Sequence, residues 1–450
     1  MMVMEDKLPQ HIKERLEKAK EKIKERKIPL WLFADRELFE LEQKKIFSKV
    51  WLCLAHESEI PNKGDYVLRY MGPYTSVIVV RDEDGKIRAF YNVCPHRGAK
   101  LIREDRGNSL FFKCQYHGLT FKTTGELVGI PARHLIAPNF KNSDLPLFEV
   151  KIAIYDGLIF GTMNDKAKPL EDFLGDAKFY LDILLKRTEK GLQFSYPQRW
   201  IIKANWKTAV DNFIGDAWHF LTAHGFAYEV GGVVPPYSNL FSAYAAVVKL
   251  KGGHGVMFAG PNKFDSPNYP RPSYYPIWWP ELLEKAKKLL TEKEYKVWVD
   301  SNRMIGNIFP NFAFHNTAYG AGTADIPVPY QSFRLWRPID VDKTEIWTWW
   351  AVEKDAPEKL KELSFKTYIR LFGASGIVEP DDVVIWEGMT ENALSPKSSD
   401  LDLYYFAGMH ETPDPTFDGP GEYYYGGNNE INQLNFFEEY INYLLEGDQE

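Results

Sequence analysis

The sequence predicts an α+β fold class: a small all-β domain placed ahead of a larger domain of antiparallel sheet and helices. Three observations carry that reading. Short strand signals crowd the region from about Val50 to Phe160. Longer strands and amphipathic helices fill the chain after it, and a Pro- and Lys-rich stretch at 164–169 divides the two textures. At 450 residues the chain supplies core enough for two domains. The expected boundaries are 1–47 for N-terminal helices packed on the larger domain, 48–165 for the β domain and 166–450 for the larger domain.

Composition removes several function classes. A net charge of −7 gives no reason to invoke nucleic acid or an anionic membrane surface. There is no run of about 18 apolar residues, so no membrane span is expected. The opening Met1-Met2-Val3-Met4-Glu5-Asp6-Lys7 lacks the apolar stretch of a signal peptide. Three cysteines, Cys53, Cys94 and Cys114, do not make a disulfide framework. A reducing, cytoplasmic setting is expected, with thiol chemistry directed to metal. Aromatic residues reach 15%, which predicts an aromatic-lined pocket or a substantial subunit interface.

Taken in order, residues 9–28 are rich in Lys and Glu, with Ile12, Leu16, Ala19 and Ile23 at helical spacing. That pattern predicts an amphipathic helix with a wet charged face. A second helix follows, with Leu38, Leu41 and Ile46 as its apolar residues. Strands are predicted at 65–70, 76–80 and 87–91, with a hairpin at Asp84-Gly85. Two loops come next, Cys94-Pro95-His96-Arg97-Gly98 and Cys114-Gln115-Tyr116-His117-Gly118. Read as Cys-x-His, seventeen residues, then Cys-x2-His, they offer two thiolates and two imidazoles. Zinc accepts those four ligands, but usually as a Cys pair followed by a His pair. The alternating order suits a Rieske [2Fe–2S] centre, where each loop gives a Cys to one iron and a His to the other. Gly98 and Gly118 permit the tight turns such loops need.

Strand signals continue at Phe121, 127–130 and 158–160; a helix is predicted over 170–185 and a strand over 198–202. The densest chemistry follows. Residues 205–224 read Asn-Trp-Lys-Thr-Ala-Val-Asp-Asn-Phe-Ile-Gly-Asp-Ala-Trp-His-Phe-Leu-Thr-Ala-His. Asp216 and His219 stand three apart, on one face if the segment is helical. His219 and His224 stand five apart, a rotation of roughly 500° that leaves them about 140° apart on an ideal helix. Binding one ion therefore requires a π-type turn or a break near 221–223. Two His and one carboxylate with open positions suit non-haem Fe(II) that activates O2. The carboxylate comes either from this stretch or from the distant Glu379-Pro380-Asp381-Asp382, which an acidic helix N-terminus explains equally well.

Gly/Pro-rich stretches at 229–236 and 260–273 predict loops, candidate lids over the site. Helices are predicted at 280–286, 292–301 and 358–372, and strands at 308–311, 331–337 and 345–352. A Pro/Gly/Tyr-rich loop over 412–429 and a helix over 430–445 close the chain.

With these motifs in view, the chain resembles the α (large, terminal oxygenase) subunit of Rieske non-haem iron aromatic-ring-hydroxylating dioxygenases, from about Ile28 to Trp386. The two cluster loops and the 205–224 block carry the resemblance. Phe309-Pro310-Asn311, Trp336-Arg337-Pro338-Ile339-Asp340 and Phe372-Gly373-x-x-Gly-x-x-Glu-x-Asp-Asp support it. Leu119 stands where the family usually has Trp, and the tail after Gly388 matches poorly, which weakens any claim that a small β subunit accompanies the chain.

The resemblance implies a helix-grip-like catalytic domain, cluster ligands Cys94, His96, Cys114 and His117, and iron ligands His219, His224 and Asp382. It implies that Asp216 bridges a Rieske histidine of a neighbouring subunit and His219, and gives Asn212 a catalytic place. Phe213, Ala217, Phe220, His315, Phe372 and Val378 fall in the implied substrate pocket. Apolar members of that set favour a hydrophobic ring, whereas Arg303 and His315 would anchor an acidic group. Electrons would come from NAD(P)H through a ferredoxin and/or reductase, with O2 as co-substrate and cis-dihydroxylation of an aromatic as the outcome. A head-to-tail homotrimer (α3), or α3β3 with a small subunit, would bring one chain's cluster near its neighbour's iron. A monooxygenase or O-/N-demethylase on the same scaffold is the alternative. A Rieske electron carrier without oxygenase activity is a third, and His219, His224 and Asp382 count against it.

Overall fold

The computed structural model describes residues 8–226, 245–259, 272–319, 326–426 and 428–446. They fall into two compact units, Phe47–Leu170 and a larger one made of Met1–Ile46 with Glu171–Glu450. Among the described residues no helix is long and apolar enough to cross a membrane.

The larger unit begins with helix α1 (Gln10–Lys24), which buries Ile12, Leu16, Ala19 and Ile23 as their spacing requires. Strand β1 (Lys27–Pro29) follows, then α2 (Arg36–Glu42), capped by Asp35 through the N–H groups of Glu37 and Leu38 at 2.9 and 3.1 Å. One π turn, Gln43–Phe47, extends α2.

The smaller unit is all β. Its strands are β2 (Leu52–His56), β3 (Asp65–Met71), β4 (Thr75–Arg81), β5 (Ile87–Tyr91), β6 (Arg106–Asn108), β7 (Phe111–Lys113), β8 (Thr120–Lys122), β9 (Leu127–Gly129), β10 (Lys151–Tyr155) and β11 (Leu158–Thr162). They form three sheets, ordered β5-β4-β3-β6, β7-β8-β9 and β10-β11-β2. Ile78, Phe90, Phe112 and Phe121 share a core with Cys94 and Cys114, so the thiols are fixed by apolar packing.

In the larger unit the helix predicted over 170–185 is two, α3 (Leu170–Leu174) and α4 (Ala177–Leu185), parted at Gly175-Asp176. A nine-stranded antiparallel sheet follows. Its members are β12 (Leu192–Phe194), β13 (Gln198–Ile202), β14 (Ala245–Leu250), β15 (His254–Ala259), β16 (Arg303–Ile308), β17 (Phe312–Tyr319), β18 (Val328–Asp340), β19 (Lys343–Glu353) and a strand from the tail. Between them lie helices α5 (Trp206–Phe213), α6 (Phe220–Ala223), α7 (Tyr275–Trp278), α8 (Glu281–Leu289) and α9 (Glu292–Asp300). After the sheet come α10 (Glu358–Phe372), α11 (Glu379–Ala393), β20 (Asp402–Tyr404), β21 (Glu422–Tyr425) and α12 (Ile431–Leu445).

Two further expectations need correction. The strand predicted at 308–311 ends at Ile308, because Pro310 has no N–H to give a ladder and the chain turns there. The loop predicted over 412–429 contains β21, which pairs with β14 at the sheet edge. The tail also supplies β20, paired with β1. The loops predicted at 229–236 and over most of 260–273 lie outside the described residues.

Cross-strand register sorts the sheet's side chains onto two faces. His315 stands opposite Ser332, Thr317 opposite Tyr330 and Ala313 opposite Arg334, so these share one face. That face receives α5 through Phe213, whose ring lies 4.9 Å from that of Trp336. It also receives α10, whose Tyr368 hydroxyl donates to the Thr348 hydroxyl at 3.1 Å. The opposite face carries Phe333, stacked on Phe194 at 4.8 Å, and Asn316, which accepts from Arg187 at 3.3 Å.

The Asn205-Trp206-Lys207 motif proves architectural. Asn205 caps α5 by accepting the Lys207 N–H at 3.1 Å and donates its amide to the Val341 carbonyl at 2.7 Å. Trp206 donates to Glu42 at 2.9 Å, Tyr440 donates to the same carboxylate at 2.6 Å, and the buried Lys207 ammonium pairs with it. Burial lowers the Lys207 pKa against the pull of Glu42. Removing one member of a buried pair strands the other charge, so Glu42→Ala is expected to cost about 3–5 kcal/mol. A lowered thermal unfolding midpoint checks this, with recovery in the Glu42→Gln, Lys207→Met double variant.

Candidate metal centres

The two Cys/His loops follow β5 and join β7 to β8, and their backbones repeat one hydrogen-bond pattern. The Cys94 carbonyl accepts the Gly98 N–H and the Cys114 carbonyl the Gly118 N–H, each at 2.8 Å. The Cys94 N–H donates to Ala99 and the Cys114 N–H to Leu119, at 2.7 and 2.8 Å. Gly98 and Gly118 close these loops with φ of +74° and +72°, a region that L side chains disfavour. The thiols are buried, whereas His96 and His117 are exposed with ring centroids 4.7 Å apart. Burial pushes the Cys94 thiol up, so ionising it requires a cation close by.

Among the described residues the one group of three or more His, Cys, Asp and Glu whose ligand atoms all lie within 4.8 Å of one another is His219, His224 and Asp382. The loops present a buried thiol end, Cys94 and Cys114, and an exposed imidazole end, His96 and His117, a division that fits a two-iron cluster.

The second centre lies where α5, α6 and α11 meet. The π turn or break expected near 221–223 is not there: α6 fills the interval between the two histidines, His219 precedes it with helical φ −58° and ψ −30°, and the chain leaves helix geometry only at His224, with φ −101° and ψ 17°. Asp216 does not share a helix face with His219, because α5 has ended at Phe213. Asp382 sits in the first turn of α11, buried. Its Oδ1 lies 3.5 Å from His219 Nε2 and 3.3 Å from His224 Nε2, and accepts no hydrogen bond among the described residues. Ligand atoms bonded at about 2 Å to a common ion stand about 3–3.5 Å apart, so this set fits a metal. The acidic start of α11 thus serves two ends, facing its own helix N-terminus and the imidazoles.

Two carboxylates support the triad from behind. Asp381 Oδ2 lies 3.4 Å from His224 Nδ1, on the side of the ring turned away from Asp382. Asp216 Oδ1 accepts the N–H groups of Trp218 and His219 at 2.8 and 3.2 Å, while its Oδ2 lies 3.2 Å from His219 Nδ1, off the angle of a hydrogen bond. Burial disfavours a charged His219, yet Asp216 and Asp382 hold its pKa up at about 9, so an arriving cation displaces a proton there.

The remaining predicted residues divide. Phe220 lies beside the triad, its ring 5.4 Å from that of His224, and His315 and Phe372 meet at 5.0 Å further along the same sheet face. Ala217 joins an apolar cluster with Val247 and Met257. Phe213 is taken up in packing, 4.7 Å beneath the Arg334 guanidinium and against Trp336. Val378 is buried at the start of α11. Asn212 touches the site through its backbone, its carbonyl accepting the Asp216 N–H at 3.0 Å, and no described contact joins its amide to the triad. Two supports escaped sequence reasoning. Arg334 donates to Glu379 at 2.7 Å and so pins the start of α11, and Glu42 anchors α5. Neither has a local signal, since each partner lies far away in the chain.

Residues 50–141 match the Rieske [2Fe-2S] domain family, and residues 170–444 match the catalytic domain of ring-hydroxylating α subunits. The match therefore runs past Trp386, and the tail belongs to the same fold. The chain is 35% identical over 390 residues to the large oxygenase component of the naphthalene 1,2-dioxygenase system of a Ralstonia species, covering 83% of this chain and 81% of that one. It is 31% identical over 427 residues to the α subunit of N,N-dimethyl phenylurea N-demethylase from Sphingobium sp. (strain YBL2), covering 93% and 91%. The crystal structure of naphthalene 1,2-dioxygenase from a Rhodococcus species bound to indole matches with a TM-score of 0.92 at 37% identity, over 98% of this chain and 99% of that one.

Proposed function

Because the chain belongs to the family of Rieske ring-hydroxylating oxygenase α subunits, we propose that it cis-dihydroxylates a hydrophobic aromatic ring. It is an oxidoreductase whose two domains take a Rieske [2Fe–2S] cluster and mononuclear iron, with O2 as co-substrate. The observation that carries the dioxygenase reading is the likeness to a naphthalene dioxygenase over nearly the whole chain. When bound, the two centres supply single-electron storage and O2 activation.

In this reading Cys94, Cys114, His96 and His117 hold the cluster and His219, His224 and Asp382 hold the iron. Asp381 keeps the His224 ring oriented by facing its Nδ1, as groups behind metal ligands commonly do. Arg334 fixes Glu379 and with it the turn that presents Asp382. Ala217, Phe220, Met257 and Phe372, all buried, are the apolar residues this reading assigns to positioning a ring and excluding water. Electrons reach the chain from NAD(P)H through a ferredoxin and/or reductase. The chain works in the cytoplasm as a head-to-tail homotrimer, α3 or α3β3, in which Asp216 connects neighbouring centres.

N-demethylation is the second reading, supported by the demethylase α subunit that aligns over 93% of this chain. Turnover with a surrogate reductase separates them. Naphthalene is expected to yield a cis-dihydrodiol, and formaldehyde release from N-methylated aryl ureas with no diol from any arene would replace the first reading by the second.

A further inference from the structure

The sheet face beside the triad changes character within one strand pair. Ile305, opposite His315 across β16 and β17, packs with the apolar group of Ala217, Val247 and Met257. On the other side of His315 the face turns polar. Both His315 ring nitrogens, the Tyr330 hydroxyl and the Ser332 hydroxyl have no hydrogen-bond partner among the described residues. All three side chains are at least 98% buried, with exposures of 2%, 1% and 0%. Buried polar groups are nearly always satisfied, so three such neighbours point to a missing occupant. They are neighbours: Ser332 stands opposite His315, and the Tyr330 ring lies 5.6 Å from the imidazole.

The patch is connected to the metal site through Arg303 and Phe220. The Arg303 guanidinium lies 4.7 Å over the Phe220 ring, and that ring is the one 5.4 Å from His224. Arg303 in turn donates to the Thr317 hydroxyl at 3.3 Å, on the strand that carries His315. Burial, then the Arg303 and Arg334 guanidiniums, push the His315 pKa well down, so the imidazole is neutral and its surroundings are positive. A neutral imidazole, a phenol and a hydroxyl offer three donors, and a carboxylate has acceptor sites for all of them.

We propose that His315, Tyr330 and Ser332 form a polar anchor for the substrate, whose aromatic ring carries a carboxylate at the end away from the carbons that are oxidised. The proposal rests on the aromatic-oxygenase reading above and adds the substituent. A plain hydrocarbon would leave these donors without an acceptor and so bind more weakly than its carboxylated analogue, while still reaching the metal site.

Matched ligands test it. 2-Naphthoate and naphthalene are titrated into the holoenzyme and their dissociation constants read from ligand fluorescence. The wild type is expected to bind 2-naphthoate at least about tenfold more tightly, since one hydrogen bond to a charged group is worth a factor of that order. Tyr330→Phe, which deletes one oxygen and keeps the ring, and His315→Leu are each expected to shrink that preference about tenfold. Equal binding of the two ligands by the wild type, or a preference unmoved in both variants, would mean that these atoms hold water only. Oxidation of naphthalene with no binding of 2-naphthoate sinks the anchor and leaves the oxygenase reading standing. Failure to bind or oxidise either ring removes both.

Discussion

Asp382→Ala is expected to lose the mononuclear iron and all turnover while its Rieske absorbance stays at the wild-type level. His219→Ala and His224→Ala should do the same, because the two centres draw their ligands from separate units of the chain. The informative control is Asp381→Ala. Both acids lie in the first turn of α11, but Asp382 Oδ1 faces two Nε2 atoms at 3.5 and 3.3 Å, whereas Asp381 faces only the far side of His224 at 3.4 Å. Losing an orienting group behind a ligand typically costs 10- to 100-fold in metal affinity, so Asp381→Ala should load iron when iron is supplied in excess. Iron per chain by metal analysis, beside the visible spectrum of the cluster, reads both. Full iron in Asp382→Ala with loss in Asp381→Ala would exchange their roles, and bleaching of the cluster in any triad variant would mean that the two ligand sets have been confused.

That control also marks where sequence reasoning ran out. The cluster loops were legible as a candidate site because the two Cys and two His lie within a short stretch and alternate in an order unusual for zinc. His219 and His224 were legible as a pair, but the departure from helix geometry expected between them does not occur; a one-turn helix joins them and the chain leaves that geometry only at His224. The third proposed ligand, Asp382, was not readable by spacing. A distant acid reaches the site because α10 turns into α11 over the sheet and Arg334 holds Glu379, and nothing local in 379–382 announces that contact. The choice of Asp382 came from the resemblance alone.

The larger sheet was harder than the β domain for a related reason. Strands β14 and β15 pair across Gly252-Gly253 with apolar runs on both sides, a hairpin signal that was present but overshadowed by the loop-like stretches around it. β21 hides in a Gly- and Tyr-rich tail, since an edge strand needs few apolar residues when its partner supplies the ladder. Asn205-Trp206-Lys207 invited a chemical reading through its position beside the metal stretch, yet its work is to lock α5 onto Glu42.

Asp216→Asn is expected to keep both metals and the oligomer and to slow electron delivery about 10- to 100-fold, the usual effect of losing a group that orients a metal-bound imidazole. The geometry separates the two tasks of this carboxylate. Oδ1 caps the turn through the Trp218 and His219 N–H groups, and an amide oxygen can still accept both. Oδ2 faces His219 Nδ1 at 3.2 Å, and there Asn replaces an anionic acceptor by a neutral one. The side chain is 30% exposed, so it is open to the second imidazole that the proposed ring would bring, His117 of the partner subunit. If capping were the whole of its work, Asn would behave as wild type and Ala would merely destabilise. If it joins the centres, Asn and Ala should both stall. Stopped-flow mixing of the reduced variant with substrate and O2 follows Rieske reoxidation directly, while metal analysis and sedimentation confirm that iron, cluster and assembly are intact. Reoxidation of Asp216→Asn at the wild-type rate would leave Asp216 as a turn cap and require another path between the centres.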